Sequence, residues 1–239
     1  MHTLLAEVLD AHGGLERWNA LTTVRATIVS GGDMFVMKGM PQDPTPREMT
    51  VWLHEQHASV MPFGVPDQRT DFRADRVSIR KVDGRVVAER DEPRKSFIGH
   101  DLCTPWDALD RAYFNGYALW TYLTSPFLLS MSGFAVTEIE PWREGKELWR
   151  GLRATFPPHI ASHSTRQDFY FGPDHLLRRH DYRVDIAGGF AAAQYAYDTV
   201  EADGIRLPTK RRAYRRDADN RPLLQQTMVS IDVSNARFT

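Results

Sequence analysis

The 239-residue chain lacks most of the features that would fix its chemistry at once. It has a single cysteine, Cys103, which excludes an internal disulfide and any zinc site built from thiolates. Cys103 reads as a small apolar residue, and its neighbour His100 in the run HDLC gives only a weak nucleophile signature. Neither sign of charge dominates: the formal net charge is −1, so no global field draws the chain to nucleic acid or an anionic membrane. No apolar run approaches the roughly 18–20 residues of a membrane span, which argues against stable insertion. The opening MHTLLAEVLDAHGG has no basic region, no long apolar core and no small-residue cleavage site, which points to a cytoplasmic protein. Glycine-rich phosphate loops, G-x-S-x-G elbows and dinucleotide fingerprints are absent too. Nothing therefore calls for a cofactor.

What is present is strand patterning around one helical block. A first helix carries Leu5, Val8, Leu9 and His12 on one stripe and stops at Gly13-Gly14. His12, in its last turn, is placed to bond a free carbonyl. TVRATIVSGGDMFVMKG then reads as two strands around Gly31-Gly32-Asp33, and EMTVWLHEQHASVMPF as a third. RVSIRKVDGRVVAER reads as a hairpin on a two-residue Asp83-Gly84 turn, pairing Val82 with Arg85 and placing Val77, Ile79, Val86 and Ala88 on one face. From about residue 104 to 130 the period becomes helical. Thr104 is the expected cap, Pro105 the first helical residue and Asp107 the partner of a capping box. Trp106, Leu109, Tyr113, Tyr117, Trp120, Thr124 and Phe127 form the stripe, and Asn115-Gly116 and Ser125-Pro126 are expected to break it. Seven further strands, from FAVTEIE to TMVSIDV, follow. The expectation is a mostly β, α+β domain spanning 1–239: one strongly curled antiparallel sheet of about ten or more strands with helices on one face.

The run HEQH, His54 to His57, resembles a zincin motif with one residue missing. Its period places both histidines in a strand, where residues three apart face opposite ways and cannot share a metal. The more informative histidines are His163 and His180. The turn GPDH most simply pairs Phe171 with Leu176. One face then carries Arg166, Asp168, Arg179, Asp181, Arg183 and Asp185, a solvated row of charges. The other carries His163, Thr165, Gln167, Phe169 and Phe171 opposite Leu176, Arg178, His180, Tyr182 and Val184, with His180 facing Gln167. Along that hairpin His163 and His180 lie about 13 Å apart at ~3.4 Å per residue, too far to share a metal. Two readings of this face stay open: polar groups that satisfy one another in a core, or polar groups that meet a ligand in an apolar cup. The basic run TKRRAYRR, 209–216, reads as a solvated edge or rim strand, since Tyr214 alone is thin support for RNA stacking.

The opening AHGGLERWNALTTVRATI, the strands, the helical insert and the closing VEADGIRLPTKRRAYRR…TMVSIDVSNARF together resemble the LolA/LolB-like lipoprotein-carrier superfamily. The motifs that carry the resemblance are the GG-x-E/A-x-W/L opening and the D-G-I-x-L-P turn. The resemblance implies an unclosed β half-barrel, with residues 104–130 as a helical lid over a hydrophobic cup. Without a signal peptide or a lipobox cysteine, lipoprotein transport itself is not carried over. The expected partner is a hydrophobic or amphipathic small molecule of acyl, polyketide or terpenoid type. Trp106, Tyr113, Tyr117, Trp120 and Phe127 would cover it, Phe169 would line the concave face beneath it, and Arg178, His180, Tyr182 and Gln167 would orient its polar end. The alternative is a cofactor-independent cyclase, isomerase or hydrolase, with His180 or His163 as general acid/base, Tyr182 as second proton donor and Arg178 at an oxyanion.

Overall fold

Thirteen strands form one antiparallel sheet in the computed structural model, which describes residues 3–239. The first six are β1 (Thr23–Gly31), β2 (Arg47–Trp52), β3 (His57–Met61), β4 (Gln68–Arg73), β5 (Arg76–Lys81) and β6 (Val86–Asp91). The others are β7 (Ala135–Glu144), β8 (Glu147–Thr155), β9 (Arg166–Phe171), β10 (Leu177–Val184), β11 (Phe190–Ala202), β12 (Ile205–Arg216) and β13 (Pro222–Phe238). Apart from β6 and β7, strands adjacent in sequence pair with each other, and β1 pairs with β13. Two meanders are thus joined through the two ends of the chain, leaving β6 and β7 as free edges. Both edges are charged and largely exposed, as unpaired strands need to be. The sheet is an unclosed half-barrel.

Helices α1 (Thr3–Ala11) and α2 (Leu15–Asn19) precede β1, and α3 (Asp33–Met37) follows it. Helix α4 (Ala108–Thr124) links the two free edges and lies against β2 to β6. Apart from Asp110, Arg111, Asn115 and two threonines its sequence is apolar or aromatic, and every residue from Leu109 to Thr124 is buried. A helix of that kind belongs in a core. As the helical lid of the half-barrel it packs directly onto the sheet, and its side chains form part of the core.

Several local expectations are corrected. DMFVM is α3, not a strand, because Gly32 turns the chain at φ 118° and Asp33 opens a helical turn. EMTVWLHEQHASVMPF is two strands, with residues 53–56 as the turn between them. His54 bonds the Leu21 carbonyl at 2.8 Å, and His57 bonds Asp71 at 2.9 Å and stacks on Trp52. At the Asp83-Gly84 hairpin a bulge pairs Arg80 with Val86 and Ile79 with Ala88, so Val86 turns outward. The cap of α4 is Asp107, whose capping box is completed by Asp110, while Thr104 closes a local turn on Asp101. Asn115-Gly116 does not break α4. A Cβ on Gly116 would lie 2.2 Å from the Phe72 ring, so the glycine is a packing requirement. Nor is β12 an edge: β11 and β13 flank it, and Arg211 is buried.

Candidate functional site

Strands β9 to β12 and the second half of α4 enclose a network of polar side chains that the sequence places among aromatics. His163 sits between two tyrosine hydroxyls, Tyr117 at 3.2 Å from Nδ1 and Tyr122 at 2.7 Å from Nε2. The Tyr122 hydroxyl also lies 3.2 Å from that of Tyr182, whose ring stacks on His163 at 4.0 Å. Gln194 donates to the Tyr182 hydroxyl at 3.4 Å. Arg211 donates to Gln194 at 3.0 Å and to the Tyr122 carbonyl at 2.9 Å. His180 bonds Gln167 at 2.7 Å and stacks on Phe169 at 4.1 Å, but its buried Nδ1 has no partner.

Burial sets the protonation of this network. Desolvation lowers His163 to about 3 and, with repulsion from Arg211 and from any proton on His163, holds His180 well below the usual imidazole range. The same cause pushes Tyr122 up to about 12 and lowers Arg211 to about 10. At neutral pH both histidines are neutral, so each can accept a proton at one ring nitrogen and donate from the other. Among the described residues, no group of three or more His, Cys, Asp or Glu side chains is placed to hold a metal ion.

The register that delivers these residues differs from the simplest hairpin. Phe171 pairs with Leu177, a bulge follows, and Phe169 pairs with His180. Beyond the bulge the pairing is displaced by two residues, which returns every side chain to the same face. His180, Tyr182, Gln167 and Phe169 therefore do point inward. Arg178 does not: it falls in the bulge, 28% exposed, with its guanidinium on Asp174. The two histidine rings are 6.5 Å apart, about half the expected distance. β9 begins only at Arg166, and the chain before it folds back so that the His163 carbonyl accepts from Asp185 N–H.

The stripe residues of α4 are dispersed. Tyr117 joins the histidine network, and Tyr113 packs on Phe72, Phe97 and Tyr117. Trp106, before the helix, meets Phe97 and Phe114. Trp120 donates to the carbonyls of Trp52 and Glu55, and Phe127 stacks on Trp18 at 4.3 Å. Tyr122, Gln194 and Arg211 were missed. Arg211 alternates correctly for an inward position, but its charge argued against one.

Nor is the charged row of β9 and β10 wholly solvated. Arg179 and Asp181 are buried on the outer face as a two-bond ion pair at 2.6 and 2.7 Å, and Arg216 also bonds Asp181. Trp142, Tyr170 and Tyr195 pack around the Arg179 guanidinium, making a small second core.

A cleft of about 440 Å³ opens beside the histidine network, lined by Tyr113, Phe156, Pro157, Pro158, Ile160 and Ala161, with Arg94, Lys95, Glu92 and Asp75 at its rim. Tyr113 connects it to the interior, since its ring lies 5.4 Å from Tyr117. Arg94 donates to the Ser162 carbonyl at 2.7 Å, one residue from His163.

Solved structures share this architecture. A LolA superfamily protein from Nitrosomonas europaea superposes with a TM-score of 0.55 at 10% identity, covering 98% of this chain and 92% of that one. The chain has the LolA/LolB-like fold. A domain from Vibrio parahaemolyticus named for outer membrane lipoprotein sorting matches this half-barrel with a TM-score of 0.55 at 11% identity, covering 99% and 91%. A DUF1329 family protein from Desulfovibrio piger gives 0.52 at 11% identity, over 98% and 91%. No protein-family model and no curated protein matches the sequence.

Proposed function

We propose that this half-barrel binds a hydrophobic or amphipathic small molecule, of acyl, polyketide or terpenoid type, through the cleft at residues 156–162. The observation that carries the reading is the cleft itself. Its volume of about 440 Å³ is in the range of small-molecule sites, and its walls combine an apolar strip from Phe156 to Ala161 with polar and charged groups, among them Arg94, Lys95, His159 and Thr165. The apolar part of the ligand lies along Phe156, Pro157, Pro158 and Ile160, and its polar end meets Arg94. Tyr113 separates it from the Tyr117–His163 pair. Because α4 packs directly onto the sheet, a long chain reaches further inward only if α4 shifts.

A second reading rests on His180. Its unpartnered, buried Nδ1, beside a neutral His163 held by two hydroxyls, suits a cofactor-independent cyclase, isomerase or hydrolase, with these histidines and Tyr182 moving protons. Arg178 has no part in it.

Titrating a fluorescent fatty acid, and displacing it with polyketide-like and terpenoid compounds, tests the binding. Saturable binding that weakens at least tenfold, about 1.4 kcal/mol, in Ile160→Asp is expected. A protein that no compound saturates contradicts the proposal. If a bound compound is turned over, His180→Ala that keeps binding but loses turnover favours the enzyme.

A further inference from the structure

A second cluster, at the other side of α4, carries an inference independent of that reading. Arg111 and Asn115 are one turn apart on α4, and Arg47 enters from the first residue of β2. Residues 111 and 113 are about 200° apart around a helix, so this cluster faces away from Tyr113 and the cleft. Arg47, Arg111 and Asn115 are respectively 3%, 9% and 4% exposed.

Their partners are neutral. Arg47 donates to Gln42 at 3.2 Å and to the Ser30 hydroxyl. Arg111 donates to the Pro41 carbonyl at 2.9 Å and lies 4.5 Å over the Phe63 ring. Gln42 donates to the Asn115 side-chain oxygen at 2.9 Å. Three buried donors then have no partner: Arg47 Nε, Arg111 Nε and Asn115 Nδ2. The nearby carboxylate, Asp43, is exposed and accepts from the backbone and side chain of Thr45. Among the described residues neither arginine forms an ion pair. The two charges repel each other, and burial and that repulsion lower Arg47 from the usual guanidinium range.

The same chain shows how a buried guanidinium is otherwise satisfied. Arg179 has its two bonds to Asp181. Arg211 has no carboxylate, but it is a lone charge and leaves no buried nitrogen unpartnered. Among the described residues, two buried cations meet with donors to spare at Arg47 and Arg111. Two buried charges without an ion-pair partner, offset only at a distance by the exposed Asp43, are costly, and the group that offsets them further is an anion with several acceptor oxygens.

We propose that Arg47, Arg111 and Asn115 form a binding site for an oxyanion, a carboxylate or phosphate ester, covered by the segment 39–46. That segment forms neither helix nor strand, contains Pro41, Pro44 and Pro46, and turns at Gly39 with φ 68°. Its Pro41 carbonyl and Gln42 side chain occupy the two guanidiniums. An entering oxyanion takes over those bonds and adds the free Nε and Nδ2 donors.

Thermal unfolding and calorimetric titration of the full chain with inorganic phosphate, octanoate and octyl phosphate test the site, with sodium chloride at matched ionic strength as control. At least one of the three is expected to raise the melting temperature and to bind saturably where chloride does not. Arg111→Met is expected to lose at least tenfold in affinity while melting no lower than the wild type without ligand, since it removes a like charge. Tighter binding of the octyl compounds than of phosphate assigns the site to the head of an amphipath, and equal binding to a free anion. The proposal is overturned if none of the three exceeds chloride, or if binding survives unchanged in Arg111→Met. Should that variant not fold, Arg47→Lys, which keeps the charge but not the forked geometry, is expected to weaken binding, and unchanged binding there overturns the proposal equally.

Discussion

Three buried histidines, His12, His163 and His180, are kept neutral by desolvation, His12 at about 4 and His163 at about 3. His12 donates to the Val8 carbonyl at 2.8 Å, as its place in the last turn of α1 requires. A base whose pKa is lowered by folding gains its proton on unfolding. The stability it contributes is complete above the unfolded value near 6.5 and is lost as pH falls through the folded values. At pH 5 the loss is roughly 2 kcal/mol per histidine. The unfolding free energy should therefore fall steeply between pH 6.5 and 4, with about one proton taken up per buried histidine. His163→Gln should reduce that uptake by about one, measured from the pH dependence of denaturant unfolding; an unchanged slope would show that His163 is already charged in the folded protein. The inward direction of His180, Tyr182 and Gln167 was legible because a strand alternates strictly. The burial of Arg179, Asp181 and Arg211 was not, because it depends on aromatic rings from other strands and, for Arg179, on the Asn220 carbonyl. Arg179→Ala, which leaves Asp181 with one partner fewer, is expected to cost about 3–5 kcal/mol in equilibrium unfolding; a loss below about 1 kcal/mol would mark the pair as a surface ion pair.

At the scale of elements, α4 behaves as core. Gly116→Ala gives the sign of the effect directly. On a solvated helix the change would stabilise by up to about 1 kcal/mol, but here the new methyl meets the Phe72 ring, and a loss of about 1–3 kcal/mol is expected. Stabilisation in denaturant unfolding would mean that α4 stands off the sheet. The existence of α4 was readable from its period and its Ser125-Pro126 end. Its burial on all sides, the one that carries Arg111 and Asn115 included, does not show in a single aromatic stripe. Strand parity survived the bulge at Arg178 because the displacement was by two residues. At Val86 the displacement was by one, and the expected face was lost.

At the scale of the molecule, the two meanders are held together where β1 pairs with β13, and the Thr239 carbonyl accepts from Thr22 and Thr23 N–H. The half-barrel leaves its opening between β6 and β7, which α4 links in sequence. The architecture was legible from the order of strands and insert, whereas the direct packing of α4 onto the sheet was not. The central claim is that the cleft takes an apolar molecule. Native mass spectrometry of the purified protein, followed by extraction and identification of what it carries, tests this most directly. A bound acyl, polyketide or terpenoid compound, displaced in Ile160→Asp, is the predicted result. A clean apo mass, unmoved by a panel of such compounds, would contradict it.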